Sequence, residues 1–408
     1  MGTYKVRVTT GNFLLAGTFS SISITLVGTH EESDKKPLDN CGKDFNPGAW
    51  IEGYRTLELR EGKEYVRAHW REDTFFGYQF LNGVHPVLIR KCTELPCNFP
   101  VTPAMVAPSL GESTSLQDEL EPSGELVPIA IQLLLPHTRY TLHVNVLART
   151  LLLRRGGVFE RGVGSGLEGT KVLMAKGMSC LTYASLCFPD DIQERGVDCI
   201  PNYYYRDDGL KIWSAIESFV SGIVRYYYPS DAHVLADCEL QAWADEIFNQ
   251  GFLGNEASGF PSSLQSIPEL IKYLTMWIYC CSARHAALNN GQYDLGAWMP
   301  NFPATMRNPP PQAKGTTSLE SYLDTIPEVN STSIIIHTLW ILSCELGDSR
   351  SLGTYPDEHF TAEEPKQLIA AFQGRLAQIS QEIQERNKSL PIPYRYLDPH
   401  QIENSTSI

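Results

Sequence analysis

The sequence predicts an α+β protein, with a small β-rich front followed by a mostly helical body. Three observations predict it. Polar and β-branched or aromatic residues alternate near the start, as in Tyr4-Lys5-Val6-Arg7-Val8, and a period of two marks half-buried strands. From about residue 205 the apolar residues recur every three or four positions instead, which is the period of one helix face. The chain has 408 residues, 42% hydrophobic and 20% charged, so a sizeable core is possible and the balance is that of a globular protein.

The front holds three strand-like runs. After Tyr4 to Val8, Ile22, Ile24 and Leu26 alternate with Ser21, Ser23 and Thr25, and a third run is Tyr54 to Arg60. A polar segment with Gly and Pro, His30 to Pro47, separates them. Two or three strands do not make a stable domain alone, so this front is incomplete or leans on the rest. The first clear helix follows Asp207-Asp208-Gly209 and shows Ile212, Trp213, Ile216, Phe219, Val220, Ile223 and Val224 on one face before Pro229. The second starts at Ser266, where Ser266 and Glu269 form a capping box around Pro268. It can run through Trp277 and His285 to Gly291 with few charges, so it is buried on most sides. The third starts near Thr361, with Thr361 and Glu364 as a second capping box. Leu368, Phe372, Leu376, Ile379 and Ile383 then form its stripe. The proline-rich segment Trp298 to Gly315 excludes regular structure.

Charge and cysteine usage exclude several classes. Acidic residues outnumber basic ones, 47 to 33, and the net charge of -14 would repel phosphate backbones, so no nucleic-acid partner is expected. Ten scattered cysteines include no CxxC pair, which removes zinc ribbons and thioredoxin-type motifs and reads as free thiols in a reducing, cytoplasmic compartment. MGTYKVRVTT lacks the apolar region of a secretory signal. The longest uncharged apolar stretches, Leu126 to Thr138 and Ser331 to Cys344, fall short of the ~20 residues a spanning helix needs. Gly164 to Gly169 matches GxGxxG, but no apolar strand precedes it, so it reads as a loop and not a nucleotide site. No two of the ten histidines lie three or four residues apart, so no helix presents a paired-histidine metal face.

His285 differs by its neighbourhood. Asn289 lies four residues further along the same helix, so both point to one face. Polar side chains in a nearly uncharged, buried helix need partners. Spacing alone favours a satisfied hydrogen-bonded pair over a metal site. The chain also ends on an apolar residue, Ile408, after a polar run. An apolar side chain anchored inside would carry the α-carboxylate with it, and a buried carboxylate must be paired or metal-bound.

Several blocks resemble the animal lipoxygenases, the non-haem iron dioxygenases of polyunsaturated fatty acids. They include His69-Trp70 through Gly83, Leu133 to Thr141 (LLLPHTRYT), Leu181 to Ser185, Tyr205 to Leu210 (YRDDGL), Ser282 to Asn289 (SARHAALN), Trp298 to Asn301, Gly353 to Phe360 and the terminal Asn404 to Ile408. They span nearly the whole chain in family order, and the wording is most similar to epidermal-type members, some of which isomerise hydroperoxides. The resemblance implies a partial PLAT-like β-barrel over residues 1–62, a calcium- and membrane-responsive module. It implies a mostly helical catalytic domain over 63–408. It implies one non-haem iron held by His285, Asn289 and the Ile408 carboxylate, with Ala148 at the position that steers oxygen to the S face. The implied substrates are polyunsaturated fatty acids or their hydroperoxides, met at a membrane surface visited from the cytoplasm.

One departure stands beside this resemblance. The family has two further histidine ligands five apart, and no pair of histidines here has that spacing. The chain skips near Trp50, near residue 64, and near 132, where Gly124 to Gln132 runs straight into the Leu133 block. An incomplete catalytic domain with internal deletions is expected. Losing two imidazoles from the ligand set costs far more than the roughly 10–100-fold of a change outside it. The isolated chain is then expected to turn over weakly or not at all. The alternative reading is an inert lipid- or membrane-associating remnant with uncovered apolar surface.

Overall fold

The structure, a computed structural model, describes residues 4–9, 23–24, 32–33, 36–37, 50–55, 57–58, 61–83, 86–91, 166–301, 303, 306–308, 316–342, 350–355 and 360–404. The chain forms two compact units, Met1–Arg71 and Glu72–Ile408.

The first unit carries the strands that the alternating pattern predicts. β1 (Tyr4–Thr9) pairs antiparallel with β5 (Trp50–Arg55), placing Tyr4 opposite Arg55 and Thr9 opposite Trp50. β2 (Ser23–Ile24) pairs with β4 (Lys36–Pro37), and β3 (Glu32–Ser33) with β6 (Leu57–Glu58). These are three two-stranded sheets, and no closed barrel is formed among the described residues. Helix α1 (Glu61–His69) completes the unit.

The second unit is helical. Its elements are α2 (Asp73–Asn82), α3 (Gly166–Cys180), α4 (Tyr183–Leu186), α5 (Phe188–Arg195), α6 (Tyr204–Tyr227), α7 (Asp231–Ala236) and α8 (Cys238–Glu246). A π-turn, Ile247–Gly251, follows. Then come α9 (Ile267–Tyr279), a second π-turn (Cys280–Arg284), α10 (His285–Asn289), α11 (Gln292–Gly296), α12 (Leu319–Thr325), α13 (Val329–Leu342) and α14 (Glu363–Asn387). No helix among the described residues is long and apolar enough to cross a membrane.

The core sits around α6, which packs against both α9 and α14. Ile212, Trp213, Ile216, Val220 and Val224 are buried along it, as the sequence spacing predicts. Burying each such side chain contributes about 1.5–3 kcal/mol. Phe372, Leu376, Ile379 and Ile383 answer from α14, and Phe219 stacks on Phe372 with centroids 4.9 Å apart. Gly209 permits a close approach. A Cβ there would meet the Phe188 ring at 2.6 Å and Tyr279 Oη at 2.7 Å. The start of α6 is capped from another helix: Tyr203, at the N-cap position, makes no side-chain cap bond. Asn82 of α2 instead accepts from the amides of Tyr204 (2.7 Å) and Tyr205 (3.3 Å), and donates to the Asn202 carbonyl (2.8 Å).

Four local expectations are corrected. Ser266 does cap α9, accepting from the Glu269 amide. The Glu269 carboxylate, however, accepts from the amide of Gln265 at 2.7 Å, so the reciprocal bond shifts one residue outward. The Thr361 box does not form, because α14 begins at Glu363 with Ala362 as N-cap. Glu363 and Glu364 serve that end through the helix dipole instead. The Gly164–Gly169 motif is not a loop throughout, since Gly166 opens α3 and Lys171 bonds Glu168 at 2.7 Å one turn along. The single long helix from Ser266 is interrupted by the π-turn at Cys280–Arg284. An extra residue in a turn rotates everything after it by about 100°.

Candidate metal centre

The π-turn delivers His285 to its position. Before it, α9 buries Leu270, Ile271, Tyr273, Met276 and Tyr279. After it, Ala286, Ala287 and Leu288 are buried with Asn289. Arg284 closes the turn, fully buried, and donates to the Ser185 carbonyl of α4 at 2.7 Å. Ser282 Oγ donates back to the Ile278 carbonyl at 2.6 Å.

His285 and Asn289 lie one helical turn apart on α10, as their spacing requires. Burial pushes the His285 imidazole down to about 4, so the ring is neutral at pH 7 and keeps a lone pair. Asn289 is 2% exposed, and its Oδ1 accepts from Gln292 Nε2 at 3.2 Å. The same Gln292 amide donates to the Leu288 carbonyl at 2.9 Å. An amide oxygen has two lone pairs, so one remains for a hard cation. Ile408 and Ala148 lie outside the described residues.

The C-terminal segment is described as far as Asn404, and it runs beside α10. Asn290 Nδ2 donates to the Gln401 carbonyl at 3.3 Å. Leu352 N donates to the Ile402 carbonyl at 2.8 Å, and Asn404 N to the Arg350 carbonyl at 2.6 Å.

The two described donors fit iron in kind: a neutral imidazole and an amide oxygen. They fall short in number. No group of three or more His, Cys, Asp or Glu side chains is placed to hold a metal ion among the described residues. The sequence singled out His285 and Asn289 but not the Gln292 contact to Asn289, nor Asp294 and Tyr396 further along. The signal was present in the polar run Asn289-Asn290-Gly291-Gln292, which has to be satisfied inside a buried helix.

The lipoxygenase family model matches residues 123–396. The mouse hydroperoxide isomerase ALOXE3 is 47% identical over 450 positions, covering 85% of this chain and 63% of that protein. The human polyunsaturated fatty acid lipoxygenase ALOX15B is 45% identical, covering 85% and 67%. Among solved structures, a calcium-dependent 11R-lipoxygenase superposes with a TM-score of 0.74 at 25% identity, covering 84% of this chain and 67% of that one. A coral 8R-lipoxygenase shares the fold, with a TM-score of 0.73 at 22% identity. The chain belongs to the lipoxygenase family. It spans 63% of the length of the ALOXE3 relatives.

Proposed function

We propose that this chain serves the lipoxygenase reaction class, acting on polyunsaturated fatty acids or their hydroperoxides. The candidate donors to one non-haem iron are His285, Asn289 and the Ile408 carboxylate. The observation that carries the reading is the placement of His285 one turn from the buried, hydrogen-bonded Asn289 amide on α10. The relatives' activities support the class, since those proteins are a hydroperoxide isomerase and fatty-acid lipoxygenases. When bound, the iron supplies one-electron chemistry at a bis-allylic carbon or a peroxide bond. The chain's own residues do the rest. Burial keeps His285 free of a proton, Gln292 orients the Asn289 amide, and the apolar side chains of α9 and α10 exclude water.

The same proposal assigns residues 1–62 to a partial PLAT-like module, with calcium assisting peripheral membrane association from the cytoplasm. It assigns 63–408 to the catalytic body, with Ala148 directing oxygen to the S face. The ALOXE3 match supports missing segments, which the sequence reading puts near 64 and 132. That match runs over 450 positions, more than the 408 residues present, and so crosses positions this chain lacks. One observation favours a second reading, the inert lipid-associating remnant: no two histidines are five apart.

Oxygen uptake on arachidonate and loss of an added fatty-acid hydroperoxide, with Fe(II) supplied, separate the two. The proposal expects slow, iron-dependent consumption of one of them, abolished by His285→Ala. Consumption of neither, by a folded chain, rejects the enzyme and leaves the remnant.

A further inference from the structure

Between Tyr226 and Ile271 the chain carries seven acidic residues and no lysine or arginine, although it holds 33 basic residues in all. This stretch includes α7, α8 and the π-turn Ile247–Gly251. One face of α8 docks inward: Gln241 Nε2 donates to the Val234 and Leu264 carbonyls, both at 2.9 Å, and Ala244 is buried. The opposite face shows Glu239, Trp243 and Glu246, at i, i+4 and i+7, all exposed. Asp245 and Glu246 lie in the last turn of α8, which holds no basic residue, so the helix dipole disfavours both. Among the described residues no lysine or arginine pairs with Glu239, Asp245 or Glu246.

Beyond the π-turn, Leu253 is 78% exposed and holds a left-handed backbone at φ 56, which a leucine adopts only against steric crowding. Its neighbour Phe252 is buried and stacks on Phe260 with centroids 3.8 Å apart, so the leucine is displayed from a fixed base. Phe260 meets Tyr273 at 5.7 Å, and Tyr273 meets Trp243 at 5.3 Å. This run of ring contacts holds Trp243 and Leu253 in one frame.

Apolar anchors beside unbalanced carboxylates fit a surface that brings apolar side chains and cations together. The sign of the charge excludes other occupants. A second copy of this face is equally acidic, and an anionic lipid surface is repelled. A face built to meet the chain's own core would not carry a carboxylate on either side of its tryptophan. We propose that the face formed by Glu239, Trp243, Glu246 and Leu253 docks a basic amphipathic segment of a partner protein. Its lysines or arginines meet the two glutamates, and its apolar side covers Trp243 and Leu253. The proposal uses none of the candidate iron donors.

Fluorescence anisotropy tests it, with the full chain titrated into a labelled synthetic amphipathic helix of lysine and leucine. The charge-reversed helix of glutamate and leucine is the control. The basic helix is expected to bind, less tightly as salt rises, and the acidic one is not. Glu239→Gln with Glu246→Gln should weaken binding about 5-fold or more, and the same charge change at Glu363 and Glu364 of α14 by less than about 2-fold. Leu253→Gly should weaken it about 3-fold or more. Glycine accepts the left-handed backbone, so the unfolding temperature of that variant should not fall, which separates lost binding from lost folding. Equal weakening at both glutamate pairs would show only a general attraction to an acidic protein, and that result overturns the proposal. So does binding that Leu253→Gly leaves unchanged, or no binding of the basic helix at all. Adsorption to phosphatidylserine vesicles, or self-association in sedimentation velocity, that these substitutions abolish would assign the face to a membrane or a second copy and overturn it as well.

Discussion

At Asp208, burial and charge pairing pull in opposite directions. Its side chain is 0% exposed, and Arg386 Nη1 donates to both carboxylate oxygens at 2.7 Å. Burial still holds the carboxyl up to about 6, above its ordinary value, against the lowering effect of Arg386. The folded chain therefore takes up a proton between about pH 6 and pH 4 that the unfolded chain does not. The stability this group contributes is fully present below about pH 4 and is lost as pH rises through about 6, by about 3 kcal/mol. Urea unfolding of the unaltered chain and of Asp208→Asn across pH 4 to 7 measures it. The difference between their stabilities should change by roughly that amount over the interval, and a constant difference would contradict the assignment. Asp208 itself was visible in the sequence only as part of Asp207-Asp208-Gly209, at a helix start. Its partner lies 178 positions away, and no local pattern encodes such a pairing.

At the scale of elements, the periodicity of apolar residues was the legible part. Ile212 through Val224 and Phe372 through Ile383 are buried as their spacing requires, because burial of one face is what makes those segments helical. Ends and interruptions were less legible. Thr361 precedes the N-cap of α14 without capping it, and the π-turn before His285 has no composition that marks it. The cap of α6 was invisible for a plainer reason: it comes from Asn82, some 120 residues earlier. That cap gives an element-scale prediction. Asn82→Ala leaves the Tyr204 and Tyr205 amides without their acceptor, so it should cost about 1–2 kcal/mol. Thermal unfolding checks it, together with faster amide exchange confined to the first turn of α6. Unchanged exchange there would show that another group caps the helix.

At the scale of the whole molecule, family membership was legible because short blocks from His69 to Ile408 keep their order, and the family match over 123–396 agrees. The candidate centre was legible only in part. His285 and Asn289 share a helix, so their spacing brings them together. The C-terminal segment meets the end of α10 through the Gln401 carbonyl and meets α11 through Asp294, contacts made by folding and not by spacing. The ligand count limits what the whole chain can do. One imidazole where the family resemblance implies three predicts iron binding that is real but weak.

The direct measurement is anaerobic equilibrium dialysis against Fe(II) for the unaltered chain, His285→Ala and a chain ending at Asn404. The account predicts weak binding at about one site per chain, weakened by about 10-fold or more by each change. No binding by the unaltered chain, or binding that neither change disturbs, would contradict an iron centre built from that histidine and the chain's own end.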